Sequence, residues 1–321
     1  MRSPRSFVLG SVVLGALLSI VAAHGTGRLH AQASKPARPL TRSLVKENLY
    51  LVSGEGGNVA LFATPEGVLL VDDMFDRNHA DILAEVRAVS RAPLRYVVNT
   101  HQHDDHAGGD LKMLPLAEVI AHDNVFANLS DIKQPYYEDT PGTPIGLPRV
   151  TFADRMTVHL GAAAVQAHYF GRGHTSGDAV IYFPALKTVH TGDLFLARAR
   201  PQPGAPVRPL ALPIYADYAQ GGSLRQWSTT LERMLALDFD TVISGHGPLQ
   251  TRADVVRFKA DVEAMRDRLT GLIRAGQPKA AIAKVLEDDY GWRATGCPPS
   301  PPTPGCLQFQ QLDGLIDELR R

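Results

Sequence analysis

The chain has 321 residues, with 33 Lys and Arg against 33 Asp and Glu, a formal net charge of zero and 44% hydrophobic residues. That length buries a large core, and the composition is ordinary for a globular protein rather than a disordered or repeat one. No basic stripe interrupts the charge balance, which counts against nucleic-acid partners, because phosphate backbones demand a net positive surface.

In chain order, the first feature is a leader. "MRSPRSFVLGSVVLGALLSIVAAHGTGRLHAQASKP" carries Arg2 and Arg5, an apolar run from Phe7 to Ala23, and the small-x-small pattern Ala31-Gln32-Ala33. Residues 1–33 are expected to be a cleaved secretory signal peptide, giving a periplasmic or secreted protein with no stable membrane association after cleavage. The competing reading is an uncleaved anchor, the run being only slightly shorter than a spanning helix. A linker is expected over 34–46, a main domain over 47–250 and a helical C-terminal extension over 251–321.

Apolar runs and alternation predict strands near 48–53, 58–63, 68–72, 95–99 and 116–121, with a helix around 79–90. Further strands are expected near 149–153, 156–169, 179–184 and 187–191. In "GGSLRQWSTTLERMLAL" the apolar residues Leu224, Trp227, Leu231, Met234 and Leu235 recur at helical spacing, as core positions. "FDTVISGHG" supplies a last strand. From Arg252 onward the pattern is helical with alternating charges, the mark of a solvated face. The only cysteines, Cys297 and Cys306, bracket "PPSPPTPG" and read as a disulfide closing a Pro-rich loop in an exported chain.

The chemistry begins where the strand "LRYVVNT" ends. "HQHDDH", residues 101–106, puts three histidines and two aspartates in six positions. A surface loop can hold such residues without consequence, or bind metal loosely. Here, however, alternation points His101 and His103 to one side, and Asp105 and His106 follow as the backbone turns. Three later segments repeat the format of an apolar strand followed by a glycine-flanked polar residue: His174 in "GRGHTSG", Asp193 in "HTGDLF" and His246 in "SGHGP". Of the other histidines, His24, His30, His79, His122 and His159 get the ordinary structural or surface reading. His168 and His190 give no reason to be counted with the cluster.

From about Glu47 to Pro248 the sequence resembles the metallo-β-lactamase superfamily of metal-dependent hydrolases, beginning with "NLYLVSGEGGNVALFATPEGVLLVDDMF" and continuing through His-x-His-x-Asp-His and the later His, Asp and His. The resemblance implies an α/β fold, an αββα four-layer sandwich with metals at one edge, plus a helical tail. It puts one metal site on His101, His103 and His174 and a second on Asp105, His106 and His246, with Asp193 bridging and Asp105 counted among the catalytic residues. Two Zn2+ per chain are expected, sharing a hydroxide of lowered pKa that attacks a carbonyl. Asp72 and Thr175 are expected to hold the outward ring nitrogens of ligating imidazoles.

The metal set does not choose among β-lactam, lactone and thioester substrates, all small molecules. The sequence departs from β-lactamases with a cysteine at the bridging position: Asp193 stands there, and Leu196 replaces the usual lysine three residues later. Arg198 or Arg200 could contact substrate instead, although arginine and lysine differ in reach and geometry. The Asp193 set looks more like glyoxalase II and its thioesterase relatives. Two other classes stay open: an iron-dependent persulfide dioxygenase-like oxidoreductase, and a non-catalytic metal-binding accessory protein. The oligomeric state is left open.

Overall fold

The computed structural model describes residues 39–130, 145–196, 214–290, 292 and 311–321. The leader, residues 34–38 of the expected linker, Arg198, Arg200, Cys297 and Cys306 lie outside the described residues. No helix among the described residues is long and apolar enough to cross a membrane.

The strands are β1 Thr41–Lys46, β2 Leu49–Ser53, β3 Val59–Thr64, β4 Gly67–Val71, β5 Leu94–Val98, β6 Glu118–His122, β7 Val150–Phe152, β8 Arg155–Leu160, β9 Ala163–Tyr169, β10 Ala179–Phe183, β11 Thr188–His190, β12 Thr241–Ile243 and β13 Gln250–Thr251. The first seven form one sheet in sequential order, and β13-β12-β11-β10-β9-β8 form the other. β4, β5, β6 and β7 are mutually parallel neighbours, as are β11 and β12. The helices are α1 His79–Val89, α2 Asp104–Ala107, α3 Asp110–Met113, α4 Asp123–Ser130, α5 Leu224–Met234, α6 Arg252–Arg274, α7 Lys279–Tyr290 and α8 Leu312–Arg320.

Strands such as "GVLLV" and "AVIYF" are apolar throughout because both of their faces are covered. Leu69, Val71, Phe62, Ile181 and Phe183 meet in the core between the sheets. Their alternating neighbours point the other way. Val68, Leu70 and Val97 pack against Ile82 and Val86 of α1, while Val180, Val189 and Val242 pack with Trp227, Phe258, Leu286 and Leu315 of the later helices. This is the four-layer αββα sandwich. α6 and α8 belong to the same apolar cluster as α5, so the C-terminal helices cover the second sheet.

Several local expectations change. Thr41–Lys46, assigned to the linker, is an edge strand paired antiparallel with β2. Its outer residues are exposed, so "TRSLVK" carries no apolar signal. The single strand expected at 156–169 is the hairpin β8–β9, turned at Gly161 and Ala162.

Candidate metal centre

The loops that follow β5, β9, β11 and β12 converge at one edge between the sheets. His101 and His103 leave the end of β5, with His106 on α2. His174 lies in the loop after β9, Asp193 in a 3-10 turn after β11 and His246 in the loop after β12. Asn58, at the mouth of β3, laces the two sheets together: its N–H donates to Gly245 O at 2.6 Å and its Nδ2 to Ser244 O at 2.9 Å and Gly247 O at 2.8 Å. Trp227, fully buried on α5, donates Nε1–H to Leu194 O at 2.8 Å, so the helical layer fixes the Asp193 turn. Two glycines are required by close approach. A Cβ at Gly57 would stand 2.3 Å from His106 Cε1, and one at Gly245 would stand 1.9 Å from Asp193 Oδ1.

All seven sequence-selected residues come together, as two groups whose candidate donor atoms lie within 4.8 Å of one another: His101, His103, His174 and Asp193, and Asp105, His106 and His246. In the first, His103 Nδ1 lies 3.1 Å from His101 Nε2 and 3.0 Å from His174 Nε2. In the second, His246 Nε2 lies 3.3 Å from His106 Nε2 and 3.1 Å from Asp105 Oδ2. Asp193 faces both, with Oδ2 3.6 Å from His174 Nε2 and Oδ1 3.3 Å from His106 Nε2. Ligands of a tetrahedral zinc with bonds of ~2.0 Å stand about 3.3 Å apart, so these spacings fit a metal within each group.

The opposite ring nitrogens explain why the inward ones are free to bind a cation. His106 Nδ1 meets Asp72 Oδ2 at 2.8 Å, His103 Nε2 meets Asp217 Oδ2 at 2.9 Å, and His174 Nδ1 meets Tyr215 O at 2.7 Å. Each partner is an acceptor, so each of these nitrogens carries the proton. His101 is fixed by a relay: Thr100 Oγ1 donates to Asp72 Oδ2 at 2.8 Å and lies 3.0 Å from His101 Nδ1, from which it can then only accept. In the neutral rings all four of these protons point outward, so a cation that displaces any inward proton meets the converging nitrogens.

Asp72 is where the sequence pointed, in contact with His106. Thr175 is not: its N–H and hydroxyl both donate to Asp178, at 3.0 and 2.6 Å to Oδ1. Adjacency to His174 brought it into the same loop but with its side chain turned into the loop's own carboxylate. Asp217 was missed, as were Thr100 and the Tyr215 carbonyl. A lone Asp in "YADYAQGG" carries no local signal, and a backbone acceptor carries none at all. His190 sits at the centre of the fold, with Nε2 on Asn58 O at 3.0 Å. His122 bonds Ala153 O at 2.8 Å and stacks on Tyr169, a structural role. Asn124 and Asn128 of α4 hold Ser176 O and Oγ at 2.7 and 3.0 Å, buttressing the His174 loop.

Electrostatically the cluster is prepared for a cation. Burial opposes charge on His246, but Asp193 and Asp105 outweigh it and push that imidazole up to about 10. His106 is raised well above its usual value in the same way, against burial, by Asp105 and Asp193. His174 goes the other way, to about 4, because burial and the neighbouring His103 both disfavour its charge. Asp193 is held well below the ordinary carboxylate range, despite burial, by His246 and His106. The site opens to solvent at His246, whose side chain is 33% exposed. Behind it lies a sealed acid pair. Asp110 accepts from Asn99 Nδ2 at 3.1 Å and Asp73 from Gly109 N at 2.9 Å. Burial drives Asp73 well above its ordinary value, with the Asp110 charge adding to the effect, and pushes Asp110 to about 8.

A buried His and Asp cluster at the edge of an αββα sandwich defines a metal-binding protein of the hydrolase-rich four-layer class. The family model of the metallo-β-lactamase superfamily matches residues 52–246, and the chain belongs to that superfamily. A metallo-β-lactamase type 2 of Bacillus cereus is 27% identical over 214 residues, covering 65% of this chain and 74% of the relative. A hydroxyacylglutathione hydrolase of Nostoc punctiforme is 30% identical over 136 residues, 40% of this chain and 46% of the relative. Among solved structures, the DIM-1 metallo-β-lactamase has a TM-score of 0.57 at 20% identity, covering 71% of this chain and 99% of that one. A metallo-β-lactamase from Pontibacter korlensis has a TM-score of 0.57 at 19% identity, over 70% and 99% of the two chains. These structural likenesses establish the fold.

Proposed function

We propose that the protein is an exported hydrolase that holds two zinc ions and cleaves a small carbonyl substrate of β-lactam, lactone or thioester type. His101, His103 and His174 would hold one zinc, Asp105, His106 and His246 the other, with Asp193 shared. The observation that carries the reading is the outward hydrogen bonding of His101, His103, His106 and His174: four separate acceptors hold the ring nitrogens opposite the convergence point. Zinc bound there supplies Lewis-acid polarisation of a carbonyl and a water acidified towards neutral pH.

The chain's own groups do the rest. Asp72, Thr100, Asp217 and the Tyr215 carbonyl keep the rings oriented, and Asp193 presents one oxygen to each group. Asp105, partly exposed and 3.1 Å from His246 Nε2, brings to the mouth of the site a carboxylate that His106 and His246 hold ionised against burial. Within the substrate range, the β-lactam reading is weakened by Leu196, which is 8% exposed and presents no charge where a carboxylate-bearing substrate would need one. Arg198 and Arg200 are proposed as substitutes for that charge. Export rests on the leader composition, and with it goes a Cys297–Cys306 disulfide.

The test is hydrolysis by the zinc-loaded mature protein of a chromogenic cephalosporin, a lactone and a thioester, side by side. One fast substrate supports the reading and names the class. No turnover of any of the three at full zinc loading contradicts it and favours a metal-binding accessory role.

A further inference from the structure

The C-terminal segment reaches the metal centre through one side chain. Gln311, immediately before α8, donates from Nε2 to Tyr215 Oη at 2.8 Å and to Asp217 Oδ1 at 2.9 Å. Its Oε1 accepts from the N–H groups of Tyr218 and Ala219. Both amide hydrogens and both acceptor positions are used, so its orientation is fixed.

Asp217 is the carboxylate that bonds His103 Nε2. Its backbone is clamped, with N–H on His174 O at 2.7 Å and its carbonyl accepting from Gly222 N at 2.6 Å. What remains free is rotation of the carboxylate. Oδ2 is on His103, and among the described residues Oδ1 has otherwise only the N–H of Gln220, at 3.2 Å. Gln311 supplies the shorter contact that stops the rotation. The helix behind it is held firmly: Leu312, Leu315 and Leu319 are buried. Glu318 accepts from Tyr218 Oη at 2.8 Å and from Ser223 Oγ.

We propose that Gln311 is a positioning residue of the metal centre, acting through Asp217 on the ring of His103, so that the start of α8 is a working part of the site. The inference rests on the zinc reading above. A ligating imidazole depends on the partner of its far nitrogen for tautomer and basicity, and that partner depends in turn on its own restraint. Gln311→Glu is nearly isosteric and keeps the acceptor for Tyr218 and Ala219, but it replaces the donor facing Asp217 by a second carboxylate oxygen.

The experiment is zinc titration of the metal-free full chain against a chromogenic chelator, for wild type, Gln311→Glu, Gln311→Ala, Asp217→Asn, the Gln311→Ala/Asp217→Asn pair and Glu318→Gln. The expected result is about a tenfold loss of affinity, the lower end for an outer partner of a ligand, at one zinc equivalent in both Gln311 variants. Glu318→Gln, which loosens α8 elsewhere, keeps both equivalents. Gln311→Ala costs nothing further once Asp217 is Asn, the signature of action through that residue. Wild-type affinity in Gln311→Glu, an equal loss in Glu318→Gln, or an undiminished effect in the Asp217→Asn background overturns the inference alone. Failure of wild type to take up zinc overturns the metal reading and the inference together.

Discussion

Replacing Asp72 by Asn should weaken metal binding at the donor group of Asp105, His106 and His246 while leaving the fold in place. The carboxylate is fully buried and takes three hydrogen bonds: Thr100 N at 2.7 Å on Oδ1, and Thr100 Oγ1 and His106 Nδ1, each at 2.8 Å, on Oδ2. Its φ is +63°, a left-handed conformation that Asn adopts readily and Ala does not, so Asn isolates the chemistry from backbone strain. In the variant, the amide oxygen stays on Thr100 N and the amide NH2 faces His106 Nδ1. Two donors cannot face each other, so His106 must shift its proton to Nε2, the atom aimed at the second metal group. Losing such a partner costs ten- to a hundredfold in metal affinity, about 1.4 to 2.7 kcal/mol. The assay is zinc competition with a chelator of known affinity, with circular dichroism as the check on folding. Two zinc equivalents bound as tightly as in wild type would refute the account of how His106 is oriented.

Three more predictions follow from the geometry. Gly57→Ala drives a methyl into the His106 ring; stability should fall by about 1 to 3 kcal/mol from overpacking, with loss of one zinc equivalent, read by urea denaturation and metal analysis. His174→Ala should abolish hydrolysis and lower zinc content with the fold retained, and normal turnover would sink the assignment. The third concerns pH. Burial raises Asp110 to about 8, above its unfolded value of about 3.9. The native state therefore binds more protons than the unfolded state between these limits, and the stability this group contributes is lost as pH rises across them. Asp110→Asn, which cannot ionise, should flatten the fall of metal-free stability between pH ~5 and ~8 by up to about 1.4 kcal/mol per unit. Identical pH profiles for variant and wild type would contradict the buried-acid description.

The sandwich was what the family resemblance implied; its buried strands and helices were legible in the residues themselves, because burial on both sheet faces leaves a plain mark. "GVLLV" and "AVIYF" are apolar throughout, while "LRQWSTTLERM" repeats at helical spacing and buries Leu224, Trp227 and Leu231 where expected. β1 was illegible for the converse reason, since an exposed edge strand needs no apolar side chains. The short α2 and α3 were hidden within "DDHAGGDLKM", where turn residues and ligands dominate the pattern. The metal cluster itself was visible as residue types after strands. Its supporting shell was visible only at Asp72. Sequence shows that Thr175 neighbours His174 but not that it faces Asp178, and nothing local ties Asp217 to a histidine 114 positions away. Such partnerships are made by tertiary packing.

The most direct test of the central claim is the zinc stoichiometry of the metal-free protein, measured for wild type, His103→Ala and His246→Ala. The geometry predicts two equivalents for wild type and one tight equivalent for each variant, because each histidine belongs to a different group. A single equivalent in wild type, unaffected by either substitution, or a tight preference for iron over zinc, would contradict a two-zinc hydrolase.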